Sequence, residues 1–334
     1  HSRTIITGVT YTGYNSKNWS AKAGLSFSTQ TNDRTQKGDI LENSNTQDQL
    51  RVTLNHSNKV ISSPHLTFLF GINLSANVYH VEDQTASTNP YTFSAMGIFN
   101  DDLIAQGWFA GETSFSEGRI KAHFGINPIT SIYGTSLDPR VQFYWKPSAQ
   151  HQLIASVAGY SQAAPLWQQY PQGLIHASNY AIRYNYTTLN NWVLSAEAFT
   201  QGVSDILVNR SVKDGYSYTN ETEWNRLFAT APNGTANNTG IEIMALRRFA
   251  QGWFLNANAT FLRAEYQGSD GITRRSRWDV GQIANLTAGR EWHRKNRRKL
   301  SGRIFGVDGR AVFSGGMRST PVDATQSAEQ GKTV

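Results

Sequence analysis

LTFLFGINLSANV, residues 66–78, decides the fold. Leu66, Phe68, Phe70, Ile72, Leu74, Ala76 and Val78 put seven apolar side chains in a row on one face of a period-two segment. Thr67, Gly71, Asn73, Ser75 and Asn77 interleave on the other, and Leu69 is the one apolar exception. Successive side chains of a strand point to opposite faces, so this segment is a strand with one greasy face and one wet face. The same split recurs in Trp19, Ala21, Ala23, Leu25 and Phe27, in Ile120, Ala122, Phe124 and Ile126, and in Trp253, Leu255, Ala257, Ala259 and Phe261. It is clearest where Val141, Phe143 and Trp145 alternate with Arg140, Gln142, Tyr144 and Lys146.

Extending the pattern along the chain predicts an all-β protein of fourteen strands and almost no helix. They fall at 3–13, 18–31, 47–60, 65–81, 102–116, 119–127, 137–146, 151–161, 178–188, 191–203, 240–250, 252–266, 278–290 and 299–313. Most are about ten residues or longer, whereas strands of soluble sandwiches average about 5–6 and a strand tilted across a bilayer needs about 9–11. Connections alternate between short and long. Tyr14 to Lys17, Ile61 to Pro64, Glu117-Gly118, Pro147 to Gln150, Leu189-Asn190, Gln251 and Glu291 to Arg298 are the short ones. Thr31 to Thr46, Glu82 to Asp101, Pro128 to Ser136, Gln162 to Ala177, Ser204 to Thr239, Gln267 to Arg277 and the tail after Ser314 are the long ones. Short turns on one side and long loops on the other are the plan of an outer-membrane β-barrel, with periplasmic turns and extracellular loops.

Composition narrows the alternatives. The 334 residues contain no cysteine, which excludes a disulfide scaffold and thiolate metal sites. Apolar runs reach only a handful of residues, so no membrane-spanning helix is encoded. Sixteen Phe, 14 Tyr and 9 Trp demand burial in a core or in lipid, which disfavours disorder. Many positions on the apolar faces are Ala or Gly, which pack a sandwich core poorly but face lipid without penalty. Trp19, Trp145, Trp192, Trp253 and Trp292 lie within two residues of a short turn, as in an interfacial girdle. A soluble carbohydrate-binding β-protein, which also starts strands with aromatics, remains the rival reading.

The net charge of +7 comes from 31 basic and 24 acidic residues that are scattered, apart from the run REWHRKNRRKLSGR at 290–303. Scatter argues against a nucleic-acid groove, and the run reads as a solvated periplasmic turn. Enzyme signatures, metal-ligand clusters and phosphate loops are missing, so neither catalysis nor a cofactor is expected. Asn-x-Ser/Thr triplets such as Asn73-Leu74-Ser75 fall largely within strands and are chance matches. Function is then expected in the lumen and the long loops. Arg140, Arg183, Glu197, Arg263 and Arg277 are the charges expected on the lumen side or its outer rim. In the loops, Gln162, Trp167, Tyr170, Tyr216, Tyr218 and Trp224 combine stacking surface with hydrogen-bonding groups suited to a sugar, a peptide or a planar chelate.

Four stretches carry a resemblance to a known family: SLDPRVQFYWKPSAQHQLIASVAGYSQ at 136–162, PLWQQYP at 165–171, NNTGIEIMALRRF at 237–249 and GGMRSTPVD at 315–323. They resemble the C-terminal half of TonB-dependent outer-membrane receptors of the Bacteroidetes type. The first is the most specific, with its Leu-acid-Pro-Arg strand start, its short turn and a following strand ending in Gly-Tyr-x-x-Gln. The resemblance spans about the last two thirds of the chain. It implies a 22-stranded barrel, of which these fourteen strands are a part, with the plug domain, the early strands and the closing strand outside this sequence. The strand-like start at His1 and the polar end agree with a chain cut from a longer one. The resemblance further implies residence in the bacterial outer membrane and import of a nutrient too large or scarce for porins, such as a siderophore, glycan or peptide. Energy would come from the TonB complex through the plug. Contact with lipid and lipopolysaccharide is expected, and many such receptors have a surface lipoprotein partner. A passive porin or adhesin barrel is the membrane alternative.

Overall fold

Period-two alternation fixes a strand but not its neighbours. Those come from backbone hydrogen bonds, which must be satisfied along the whole length of every strand. The computed structural model describes residues 2–37, 41–87, 96–163, 173–220, 230–294 and 303–318. These residues build one antiparallel sheet, and it contains each of the fourteen predicted strands. They are β1 (Ser2–Ser16), β2 (Trp19–Lys37), β3 (Leu41–Ser63), β4 (Leu66–Ser87), β5 (Met96–Phe115), β6 (Ile120–Ser131) and β7 (Gly134–Trp145). The second half comprises β8 (His151–Ala163), β9 (Leu174–Thr187), β10 (Trp192–Asn209), β11 (Thr230–Ala250), β12 (Trp253–Gln267), β14 (Gln282–Arg294) and β15 (Arg303–Ser314). A three-residue β13 (Thr273–Arg275) adds to β12 inside a loop. Each strand pairs with the next in sequence, and β1 and β15 form the two free edges of an unclosed sheet. This is an up-and-down arrangement of part of a barrel.

Burial runs opposite to a soluble protein. In β7 the polar positions are sheltered and the apolar ones bare: Asp138 is 7 % exposed and Val141 54 %. In β4, Ser75 is 3 % exposed and Ile72 45 %. Phe70, Val78, Leu25, Leu54 and Phe143 are exposed in the same way. No second layer covers the row that begins at Leu66 among the described residues. Apolar burial gathers instead at the long-loop end, where Ile129, Tyr133 and Leu174 cluster and where Ile206, Leu207 and Val208 are enclosed. A sheet that hides its polar face and presents its apolar face is stable only if that apolar face meets something other than water.

Within the sheet, aromatic rings lie on cross-strand glycines. Trp108 covers Gly71, Phe124 covers Gly111, Phe199 covers Gly240 and Phe254 covers Gly289, each so closely that a Cβ would clash. The ring supplies the packing the glycine lacks. The β11–β12 turn, Gln251-Gly252, has both central residues at positive φ, the geometry that matches strand twist.

Strand limits differ from the sequence reading on the long-loop side. β2 and β3 stay paired as far as Lys37 with Glu42, inside the expected loop 31–46. β6 and β7 pair through Ser131 and Gly134, which leaves Ile132 and Tyr133 as the connection instead of nine residues. β10 and β11 pair through Asn209 and Thr230, so the expected loop 204–239 narrows to 210–229. These extensions are rich in Thr, Asn, Ser and Gln, whose ladders are as good as apolar ones but show no alternation to read.

Candidate functional site

Residues opposite one another in an antiparallel ladder share a face, so the register assembles the sheltered face row by row. One row holds Lys121, Tyr144, Ile154, Arg183, Glu197 and Glu242, and the next holds Glu112, His123, Gln142, Ser156 and Phe199. Glu112 lies 3.6 Å from Lys121 Nζ and 3.5 Å from His123 Nε2. Tyr144 packs its ring 4.9 Å from that of His123 and donates its hydroxyl to Gln142 Oε1 at 2.5 Å. Arg183 Nε donates to Glu197 Oε2 at 2.5 Å, and Glu242 stands beside Glu197 in the ladder. Amide pairs continue the network, with Asn185 donating to Gln152 and Asn238 to Gln201.

Above these rows lies Arg140. Its guanidinium sits 5.6 Å over the Tyr160 ring and donates to the Asn127 amide oxygen. Arg140 Nε and Asn179 Oδ1 are buried atoms without a hydrogen-bond partner among the described residues, and they flank Ala158 in the ladder. A hollow of about 610 Å³ opens there, lined by Arg140, Gln142, Ser156, Asn179, Glu197 and Gln201 among others. An unused donor and an unused acceptor on either side of Ala158, with carboxylates below, form a surface for a polar passenger or a polar stopper.

The loops at the far end of the strands hold one another. Trp278 Nε1 donates to Thr219 O at 2.6 Å, and Asn220 Oδ1 accepts from Ser276 Oγ and from the Arg277 amide. Asp279 is fully buried and carries Arg275, Arg318 and the Ala264 amide. Burial pushes the Tyr218 phenol above its ordinary value. Asp270 receives two hydrogen bonds from Arg274, at 2.7 and 2.9 Å, which hold its carboxyl down to about 2 from the ordinary 3.8. A depressed carboxylate stabilises the folded loop fully above the unfolded value, and that contribution is lost progressively as pH falls toward the folded one. Hydrogen exchange at the Ile272 amide, which donates to Asp270 Oδ1, is therefore expected to stay protected at pH 4 and to rise progressively as pH falls from there toward 2. Loss of protection at pH 4 would contradict the assignment.

The predicted site residues divide among these places. Arg140, Arg183 and Glu197 share the sheltered face, and Arg183 and Glu197 are direct partners. Tyr216, Tyr218 and Arg277 lie half-buried or bonded in the interlocked loops. Gln162 is exposed near the end of β8. Arg263 follows Phe261 on the outward face, bonded to Glu265 at 2.5 Å. Trp167, Tyr170 and Trp224 lie outside the described residues, as do residues 295–302 of the basic run. Trp19, Trp145, Trp192, Trp253 and Trp292 all project from the outward face at the short-turn end. There Trp192 meets Trp253 edge-on at 5.8 Å, and Arg247 covers Trp253 at 3.7 Å while donating to two turn carbonyls.

Sequence reading did not single out Glu112, Tyr144, Glu242 or Asp279. The first three were within its reach as polar positions of inward parity, but Asp279 lies in a loop before β14, which starts at Gln282 and not at 278 as the alternation predicts. A constellation that superficially suggests nucleophilic catalysis also emerges, because Ser161 Oγ lies 2.7 Å from Asp138 Oδ1 and 2.8 Å from His176 Nδ1. In a hydrolytic triad the imidazole stands between hydroxyl and carboxylate. Here the hydroxyl stands between the other two, so Asp138 does not orient the ring.

No protein-family model matches the sequence, and no curated protein sequence matches it closely. Solved structures do. The ferric yersiniabactin uptake receptor FyuA from Yersinia pestis superposes with a TM-score of 0.70 at 13 % identity, covering 91 % of this chain and 49 % of that one. The ferric preacinetobactin receptor BauA from Acinetobacter baumannii gives 0.61 at 14 % identity over 93 % and 52 %. The copper transporter OprC gives 0.63 at 11 % identity over 92 % and 57 %. The chain thus has the fold of part of these barrels and spans about half the length of the structures it matches.

Proposed function

We propose that this chain forms the wall, lumen face and ligand-binding loops of a TonB-dependent receptor in the bacterial outer membrane, one that imports a scarce or large nutrient. The carrying observation is the reversed burial, polar within and apolar without, on a sheet shaped like part of a receptor barrel. The five outward tryptophans at the short-turn end then form the periplasmic girdle, and the interlocked loops face the medium. Arg140, Arg183 and Glu197 present polar groups to the passage or to a plug domain supplied by the rest of the protein, through which TonB would act. Gln162, Trp167, Tyr170, Tyr216, Tyr218, Trp224 and Arg277 are the loop candidates for capture of a siderophore, glycan or peptide. The Bacteroidetes-type motifs fit a receptor of that lineage, where a surface lipoprotein commonly assists.

Uptake by cells expressing the full-length protein tests this. Radiolabelled ferric siderophores, copper, oligosaccharides and peptides are offered to cells with and without TonB. At least one probe is expected to accumulate only in the presence of TonB. Uptake that is indifferent to TonB, together with steady open conductance in planar bilayers, would instead mark a passive porin.

A further inference from the structure

The hollow of about 610 Å³ on the sheltered face carries opposite charges at its two ends. Arg140 stands at the β7 end. Its Nη2 is taken by Asn127, while Nη1 has no partner among the described residues. Asp138, two residues away on the same face, gives its carboxylate to Ser136 and Ser161 instead. At the β10–β11 end, Glu197 and Glu242 stand directly opposite one another in the ladder. Arg183 answers Glu197 alone, so the exposed Glu242 remains a surplus negative charge beside a like one. Such a pair is destabilising until a cation meets it. Between the ends the lining is short, with Ser156, Ala158 and Ala181, and Phe199 adds an apolar wall. Along its upper side run Asn179 and Gln201, cross-strand partners whose amide nitrogens donate to nothing among the described residues.

We propose that this hollow holds a short peptide with both termini free, its carboxylate on Arg140 and its ammonium on Glu242, an inference that rests on the receptor reading given above. The ladder row through Arg140 reaches β11 at Asn238, four strands on, and Glu242 lies four residues further along β11. Strand spacings of about 4.8 Å and a rise of about 3.4 Å per residue then separate the two backbone positions by roughly 23 Å. Both side chains reach inward, which leaves room for an extended peptide of about four to six residues. Its backbone offers a donor and an acceptor at nearly every residue, and the amides of Asn179 and Gln201 can meet them. A neutral glycan would leave the charges at both ends unanswered. An anionic chelate would suit Arg140 but meet repulsion at Glu197 and Glu242.

The test uses full-length protein purified in mild detergent and a library of tetra- to hexapeptides, offered with free termini, N-acetylated or C-amidated. Bound peptide is identified and counted by mass spectrometry. Wild type is expected to retain a subset of the free library, and blocking either end is expected to lower retention about tenfold or more. Glu242→Gln should make retention indifferent to acetylation while keeping the loss on amidation, and Arg140→Gln should do the reverse. Each variant thus reports its own folding through the end it still reads. Equal retention of free and blocked peptides by wild type overturns the proposal. So does sensitivity to acetylation that persists in Glu242→Gln, or sensitivity to amidation that persists in Arg140→Gln. Retention of no peptide, by a protein that still imports a siderophore or an oligosaccharide only with TonB, also overturns it and leaves the receptor reading standing. Uptake indifferent to TonB would instead remove the receptor reading itself.

Discussion

Val141→Arg is expected to lower the stability of the folded protein in lipid by about 2–4 kcal/mol, whereas the neighbouring Gln142→Arg changes it by less than about 1 kcal/mol. The two positions are adjacent in sequence and opposite in environment. Val141 is 54 % exposed, in the middle of an outward row that runs from Leu137 to Trp145. Gln142 lies on the sheltered face, where it already accepts the Tyr144 hydroxyl. In water the contrast would vanish, because an exposed valine accepts arginine freely. Only an apolar medium around the sheet makes the exposed position the intolerant one. Denaturant unfolding of both variants in lipid vesicles measures the difference. A larger loss at 142 than at 141 would mean that the bare face meets water, and the uptake role would go with it.

The second large effect is expected at Asp279. Its carboxylate is inaccessible to solvent and accepts from Arg275 and Arg318, both at 2.8 Å, and from the Ala264 amide at 3.1 Å. It thereby ties three elements together: β12, the loop after it and the segment that follows β15. The strap is reinforced by Gly315, whose backbone approaches Val280 O too closely to admit a Cβ. Removing one member of a buried charge group costs about 3–5 kcal/mol. Asp279→Ala should fall at the lower end of that range, because the two arginine side chains are partly exposed and can be rehydrated. Hydrogen exchange is expected to rise at Ala264, at Ser276 to Gln282 and at Gly315 to Arg318. Asp279→Asn keeps an acceptor for the Ala264 amide and should lose less. Unchanged protection in the Asp279→Ala variant would show that the strap holds without its centre.

Much of this was legible in the chain itself. The row from Leu66 to Val78 and the alternation around Val141 name both the strands and the faces, since the pleat ties side-chain direction to residue parity over a few residues. The short connection at Gln251 was visible for the same reason, although Gly252 belongs to the turn and not to the strand that follows. The strand extensions at 32–37, 128–131 and 204–209 were not. At 32–37 polar residues continue the backbone ladder past the apolar band, and at 204–209 Ile206, Leu207 and Val208 form an apolar run with no alternation, so in neither place does main-chain hydrogen bonding leave a period-two mark on side-chain type.

What the sequence by itself determined is therefore where the strands run across the apolar band and which faces their alternating rows occupy there. What only the tertiary structure decided is which residues meet: Arg183 with Glu197, Arg140 with Tyr160, and Asp279 with Arg318 thirty-nine residues away. Parity is a local property of one strand. Contact across strands depends on the register of every ladder between them, and that register is set cooperatively by turn lengths and by the requirement that no backbone group in the wall be left unpaired.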